Sequence, residues 1–213
     1  MLRHITKDEL FSMTTKQRVE LFEELLRSTG REGIEQTISS LRESDFYTAP
    51  ASTKYHNNSL GGLLMHSLLV YAVAVELYEG IRIVSPTSMD NTKEESLILS
   101  ALLHDVCKIG VYEKESKWVK DGNGEWVSQE MYVFKDMFPY GHGEKSVLYL
   151  TSWGLKMLPS EMLAIRWHMS YWGGLDRTSE MNIHDAINAC PLVSIIANAD
   201  TTSALIIEGL NER

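Results

Sequence analysis

Residues 101–110 read ALLHDVCKIG. An apolar run ends in an adjacent histidine and aspartate, His104 and Asp105, and Lys108 follows three residues later. A buried carboxylate without a partner is costly and seeks a cation or shifts its pKa, so such an ending needs an explanation. Three more histidines lie within or beside apolar segments: His66 in LLMHSLLV, His142 in YGHGEKS and His168 in AIRWHMS. Asp200 lies in IIANADTTS, between Ile195, Ile196 and Leu205, Ile206. Imidazole and carboxylate suit Zn, Fe, Mn and related divalent ions. The remaining histidines differ in context: His4 near the terminus and His56 in a polar loop read as solvated, and His184 as a capping or surface residue.

Helices must position these groups. TTKQRVELFEELLRSTG places Val19, Leu21, Phe22, Leu25 and Leu26 at helical spacing, with Gly30 as its stop. EGIEQTISSLRES predicts a second helix, and FYTAPASTKYHNNSLGG a loop. LLMHSLLVYAVAVELYEGI is apolar on most faces and predicts a central helix. TKEESLILSALLHDVCKIG opens with Thr92 and Glu95 at capping-box spacing and closes at Gly110. Further helices follow in GEKSVLYLTSWG, in PSEMLAIRWHMS with Ser160 as its cap, and in PLVSIIANADTTSALIIEGL after Pro191. Only Tyr112 to Phe134 reads differently. Aromatic and β-branched residues flank DGNG there, a hairpin signal. The expectation is an all-α bundle with one small β-hairpin inserted near residues 112–134. Residues 1–59 form an N-terminal helical extension packed on the main body, and residues 60–213 the metal-binding domain.

Helices packed around one core can each bring a polar residue to a common point. That gathers His66, His104, Asp105, His142, His168 and Asp200. On a helix, His104 and Asp105 diverge by about 100° and approach a metal cluster from two directions, Asp105 as a bridge. Six ligands exceed what one tetrahedral ion takes and fit two ions.

The order of these residues resembles the HD-domain metal-dependent phosphohydrolase superfamily: a His, then His-Asp, then a distal Asp, here His66, His104-Asp105 and Asp200. In its two-metal branches two more histidines fall between the doublet and the distal Asp, and His142 and His168 match them in order. GGLLMHSLLV and LLHDVCKIG look like the first-histidine helix and the central motif, and the resemblance covers roughly Leu60 to Leu210. It implies catalysis through Asp105 and two divalent ions, whether Fe, Mn, Zn, Co or Ni. It also implies a phosphate contact at Lys108, whose position equally suits a helix C-terminal cation. Glu144 is a candidate for holding a ligand histidine or moving a proton. Lys145 and Arg166 are candidate phosphate contacts or surface charges. Tyr171, Trp172, Gly173 and Gly174 suit either a nucleobase wall or a helix-ending loop. The implied activity is phosphomonoester or phosphodiester hydrolysis on a nucleotide or nucleic-acid phosphate. Ligand type alone leaves an alternative, a mixed-valent di-iron oxygenase of the inositol oxygenase type.

Composition narrows the substrate. The 213-residue chain has a formal net charge of −9, which argues against a broad grip on nucleic acid and favours a small phosphorylated substrate, a nucleotide above all. Cys107 and Cys190 are far apart in apolar contexts and read as reduced, buried thiols. No apolar stretch approaches the ~20 residues of a membrane helix. MLRHITKDEL lacks a signal-peptide apolar region. The expected location is the cytoplasm.

Overall fold

The computed structural model describes residues 2–53, 57–170 and 176–209. His56 and the Tyr171–Gly174 segment therefore lie outside the described residues. The N-terminal part holds α1 (Lys7–Ser12), α2 (Thr15–Ser28) and α3 (Ile34–Glu43). Thr6 with Glu9 and Thr14 with Gln17 cap the first two through reciprocal capping boxes. The short α1 has no long apolar periodicity to announce it. Leu10, Phe22, Leu26, Ile38 and Leu41 from these helices are buried in the same core as the rest of the chain.

The main body contains α4 (Gly62–Val84), α5 (Glu94–Leu103), α6 (His142–Ser152), α7 (Pro159–Arg166), α8 (Arg177–Ala189) and α9 (Pro191–Thr202). The first half of α4 is buried nearly all round, because it packs against both α5 and α9. From Ser96 to Leu103, α5 is wholly buried. β1 (Tyr112–Lys120) and β2 (Trp126–Phe134) form the antiparallel hairpin, paired from Tyr112–Phe134 to Lys120–Trp126. Asp121 closes its turn by accepting from the backbone of Asn123 and Glu125, each at 2.9 Å. The fold is thus a helical bundle with a small inserted hairpin.

Several boundaries differ from the sequence reading. Lys93 occupies the N-cap of α5 with no side-chain cap, so Thr92 and Glu95 do not form a capping box there. Leu158 caps α7 in place of Ser160; its N–H donates to Glu161 at 2.7 Å, and Pro159 takes the first helical position. His184 lies within α8 on its exposed face, a surface residue and not a cap. α9 gives way after Thr202 to a wider π-helical stretch, Ser203–Glu208. Most importantly, α5 stops at Leu103. His104 keeps helical dihedrals, but Asp105 has φ −104° and ψ 18°, and a 3₁₀ turn over Val106–Lys108 follows. The two side chains diverge because the helix ends between them, not through helical rotation.

Candidate metal centre

His66 lies in the second turn of α4, fully buried. Its Nδ1 donates to the Glu208 carboxylate at 2.7 Å. His104 donates from Nδ1 to the Ala101 carbonyl at 2.8 Å, and His168, just past α7, donates to the Ile165 carbonyl at 2.6 Å. Carbonyl and carboxylate oxygens only accept, so each ring carries its proton on Nδ1 and turns Nε2 inward as a lone pair when neutral. This is the ring arrangement that metal-binding histidines adopt. The His168 Nε2 is buried with no hydrogen-bond partner.

His142, the first residue of α6, completes a row of imidazoles. Ring centroids stand 5.2 Å apart for His66–His104, 4.9 Å for His104–His168 and 5.1 Å for His142–His168. Gly143 allows this approach: a Cβ there would lie 2.3 Å from the Arg166 carbonyl oxygen, so glycine lets the start of α6 press on the end of α7. Ser146 clamps the turn from the other side. Its hydroxyl donates to the His104 carbonyl at 2.6 Å and accepts from the Cys107 N–H at 3.0 Å.

Asp105 is 2 % exposed, and its two oxygens face different groups. Oδ2 lies 3.6 Å from His66 Nε2 and 3.5 Å from His104 Nε2. Asp200 joins that side, with Oδ1 3.1 Å from His66 and 4.0 Å from His104. Oδ1 of Asp105 faces His142 Nε2 at 2.8 Å and His168 Nε2 at 3.5 Å. Two ligands of one tetrahedral ion with bonds of about 2.0–2.1 Å stand roughly 3.4 Å apart. The observed separations scatter around that value, and the His66 and His104 Nε2 atoms, 3.3 Å apart, match it. Two lone pairs do not face each other at such a distance without a cation or a proton between them.

The electrostatics agree. Burial opposes a charged His66, yet Glu208 and Asp200 push its pKa up to about 10. Burial likewise opposes charge on His142, and Asp105 with Cys107 lifts it to about 9. Burial works against ionised Asp105, but Lys108 and the histidines hold it well below the usual carboxylate range. Asp200 is held low against burial by His66, His104 and His168. Asp105, Asp200 and Glu208 thus bring anionic charge, and Lys108 is the cation against Asp105, at 2.6 Å. A centre that draws protons this strongly draws a divalent ion for the same reason.

A family model, HD domain, matches residues 63–205. The chain belongs to the HD-domain family. No curated protein and no solved structure matches it. HD domains bind divalent metals and are generally metal-dependent hydrolases of the phosphohydrolase superfamily, and the clustered ligands of this chain are of the required chemistry.

The other residues singled out in the sequence of this HD domain are distributed unevenly. Lys108 is at the centre. Glu144 and Arg166 line a cleft of about 330 Å³ beside His142, with Trp167, Met169 and Ser170, and pair with each other at 2.5 Å. Arg166 also stacks on the Trp167 ring, 3.9 Å from its centroid. Lys145 is different: it is buried, Asp136 takes its ammonium at 2.7 Å, and it does not line this cleft. It is held in a buried ion pair here and is not the surface charge that the sequence also allowed. Glu208 and Ser146 escaped the sequence reading: Glu208 lies away from the quoted ligand stretches, and Ser146, though it ends YGHGEKS, is a hydroxyl among imidazole and carboxylate ligand types. Both Cys107 and Cys190 are free and buried. Among the described residues no single helix is long and apolar enough to cross a membrane.

Proposed function

We propose that this HD domain is a phosphohydrolase acting on a nucleotide or a related phosphoester through two divalent ions bridged by Asp105. The observation that carries the reading is the division of donors between the two oxygens of Asp105. His66, His104 and Asp200 with Oδ2 would hold one ion; His142 and His168 with Oδ1 would hold the other. Bound there, such a pair supplies an activated water and polarises phosphate oxygens for in-line attack. The protein's own part is positional and electrostatic. Glu208 and the two backbone carbonyls keep the imidazoles aimed inward. The Lys108 ammonium, 13 % exposed, stands against Asp105 and can turn to an incoming phosphate oxygen. In the neighbouring cleft, Arg166 offers a second phosphate contact, and Glu144 is within reach of a proton from solvent or leaving group.

A base-containing substrate suits the surroundings. Among the described residues, Phe138 and Tyr140 are exposed and stacked on each other in the few residues that lead into His142. Exposed aromatic faces stack on nucleobases, and the acidic chain favours a small nucleotide over a long polymer. Nothing among the described residues favours the oxygenase alternative.

The test is a screen of Mn, Fe, Co, Ni and Zn against nucleoside phosphates, cyclic and linear dinucleotides and a generic phosphodiester. Metal-dependent phosphoester cleavage and more than one ion per chain are expected. Lys108→Ala should keep the metal and lose turnover. Metal content at or below one ion per chain after loading would end the two-ion reading. Oxygen consumption by the iron-loaded protein with no phosphoester cleavage would end the hydrolase reading.

A further inference from the structure

The hairpin stands apart from the core. No apolar residue of β1 or β2 belongs to the buried cluster or packs on it, and the two strands contact chiefly each other. Trp118 and Trp126 are 69 % and 63 % exposed. A two-stranded hairpin is marginal in water by itself, and further strands or a covered face are what stabilise it. Both of its outer edges are open, and an open edge is a template for another strand.

The ladder fixes which backbone groups of β1 face outward. At its two ends, the Lys135 N–H donates to the Val111 carbonyl at 2.8 Å and the Asp121 N–H to the Glu125 carbonyl at 2.9 Å. Opposite residues in an antiparallel pair alternate between bonded and non-bonded. In this register the odd-numbered residues of β1 therefore bond to β2. Lys114, Ser116 and Trp118 turn their N–H and C=O groups to the open edge.

Charge selects what fits there. Laid antiparallel on a second copy of itself, with a two-fold axis at Ser116, β1 sets Glu115 opposite Lys117 of the copy and Lys114 opposite Trp118 of the copy, each pair made twice by symmetry. Lys117 has no ion pair among the described residues, whereas Glu115 and Glu113 share one ammonium, that of Lys135, each at 2.8 Å. A surplus acid thus meets an unpaired base. Lys114 already lies 5.6 Å over the Tyr132 ring, so lysine–aromatic contact is in use on this face. Moving the axis by one residue either way sets Glu115 against its own copy or Lys117 against its own copy, and like charges directly opposite are destabilising. β2 offers no such match, because Glu130 is its one charged residue and it carries no base.

We propose that the open edge of β1 pairs with β1 of a second copy of this chain, joining two hairpins into one four-stranded antiparallel sheet about a two-fold axis at Ser116. The pairing uses no residue of the metal centre, so it stands or falls independently of the hydrolase reading.

Sedimentation equilibrium of the full chain over a range of concentrations should show a reversible dimer. Lys117→Glu turns two attractions into two repulsions and should weaken that dimer about tenfold or more. Adding Glu115→Lys to it reverses both charges and should restore most of the affinity. Cysteine substitution locates the axis. Ser116→Cys should form a disulfide-linked dimer under mild oxidation, because bonded opposite residues stand about 5.5 Å apart at Cα, within disulfide range. Ser128→Cys, on β2 opposite Trp118, should not, because the paired sheet holds its two copies three strand spacings apart, about 14 Å. Cys107 and Cys190 are buried and do not compete. Circular dichroism checks that each variant is folded. A chain that stays monomeric at every concentration would overturn the pairing and leave the hairpin to another occupant. A dimer indifferent to Lys117→Glu, or one that cross-links as readily through Ser128→Cys as through Ser116→Cys, would overturn it too.

Discussion

Glu161 and Asp105 are both buried carboxylates, 0 % and 2 % exposed, and they are satisfied in opposite ways. Glu161 receives Arg31 through both guanidinium nitrogens at 2.7 and 2.6 Å, the Ser96 hydroxyl at 2.7 Å and the Leu158 N–H at 2.7 Å. Every contact there is a donor, and one cation meets one anion. Asp105 also has one cation, Lys108, but its other neighbours are four imidazoles, and Asp200 and Glu208 add further negative charge against His66. The first cluster is closed and ties the N-terminal segment to α5 and α7. The second has more lone pairs than protons. Burial alone therefore does not mark a functional site; an excess of inward acceptors over donors does.

Breaking each cluster should give different damage. The largest effect is expected from Asp105→Ala, which on the proposed two-ion reading removes an oxygen from both donor sets. Losing several kcal/mol of charge stabilisation corresponds to a fall in turnover of about 10³-fold or more. Metal content should fall with it, and the melting temperature should fall as well, because Lys108, as little exposed as Arg31, loses its carboxylate partner; metal content is the readout that separates the two clusters. Elemental analysis, turnover and thermal melting on one preparation check this.

Glu161→Ala should lower stability alone and spare the metal. It leaves Arg31 buried without its partner, a change that typically costs about 3–5 kcal/mol. Denaturant unfolding should show that loss, with metal per folded chain unchanged. If Glu161→Ala emptied the centre without lowering stability, the contrast between the clusters would fail.

Glu208→Gln probes the boundary between them. It keeps a hydrogen-bond acceptor near His66 and removes the charge. Metal affinity should weaken about 10–100-fold, as for other partners of ligand histidines. Competition with a chromophoric chelator measures it, and stability should hold.

The smallest effect is expected from Glu23→Gln, in a second closed cluster where Glu23 meets Arg42 and Arg27. Burial opposes its charge, but the arginines lower its pKa below the ordinary 4.5. A carboxylate depressed in the folded state stabilises at neutral pH, and that contribution is lost as pH falls through its folded value. The wild type should lose part of its melting temperature on acidification, and Glu23→Gln should lose less of it. An identical acid profile for both would count against this cluster being closed by charge.

Much of the fold was legible because its signals are local. Helical spacing of apolar residues predicted α2 through α6, and DGNG between aromatic and β-branched runs predicted the hairpin. Capping failed at Thr92 and Ser160 because the helices start at other residues: α5 begins after Lys93 with no side-chain cap, and Pro159 starts α7 ahead of Ser160, with Glu161 accepting from the Leu158 N–H. α8 was missed because its sequence, RTSEMNIHDAINA, buries only Ile183 and Ala186 and shows little apolar periodicity.

The sequence by itself determined the kinds of candidate ligand, their order and the apolar segments that bring them together, since residue chemistry and helical period need no distant partner. Tertiary structure decided the rest. It ended α5 between His104 and Asp105, set Glu208 on His66 across the chain, gave Lys145 to Asp136 and brought the Cys107 sulfur against His142. Each of these depends on which surfaces of packed helices meet. That is a property of the whole core, and no local stretch encodes it.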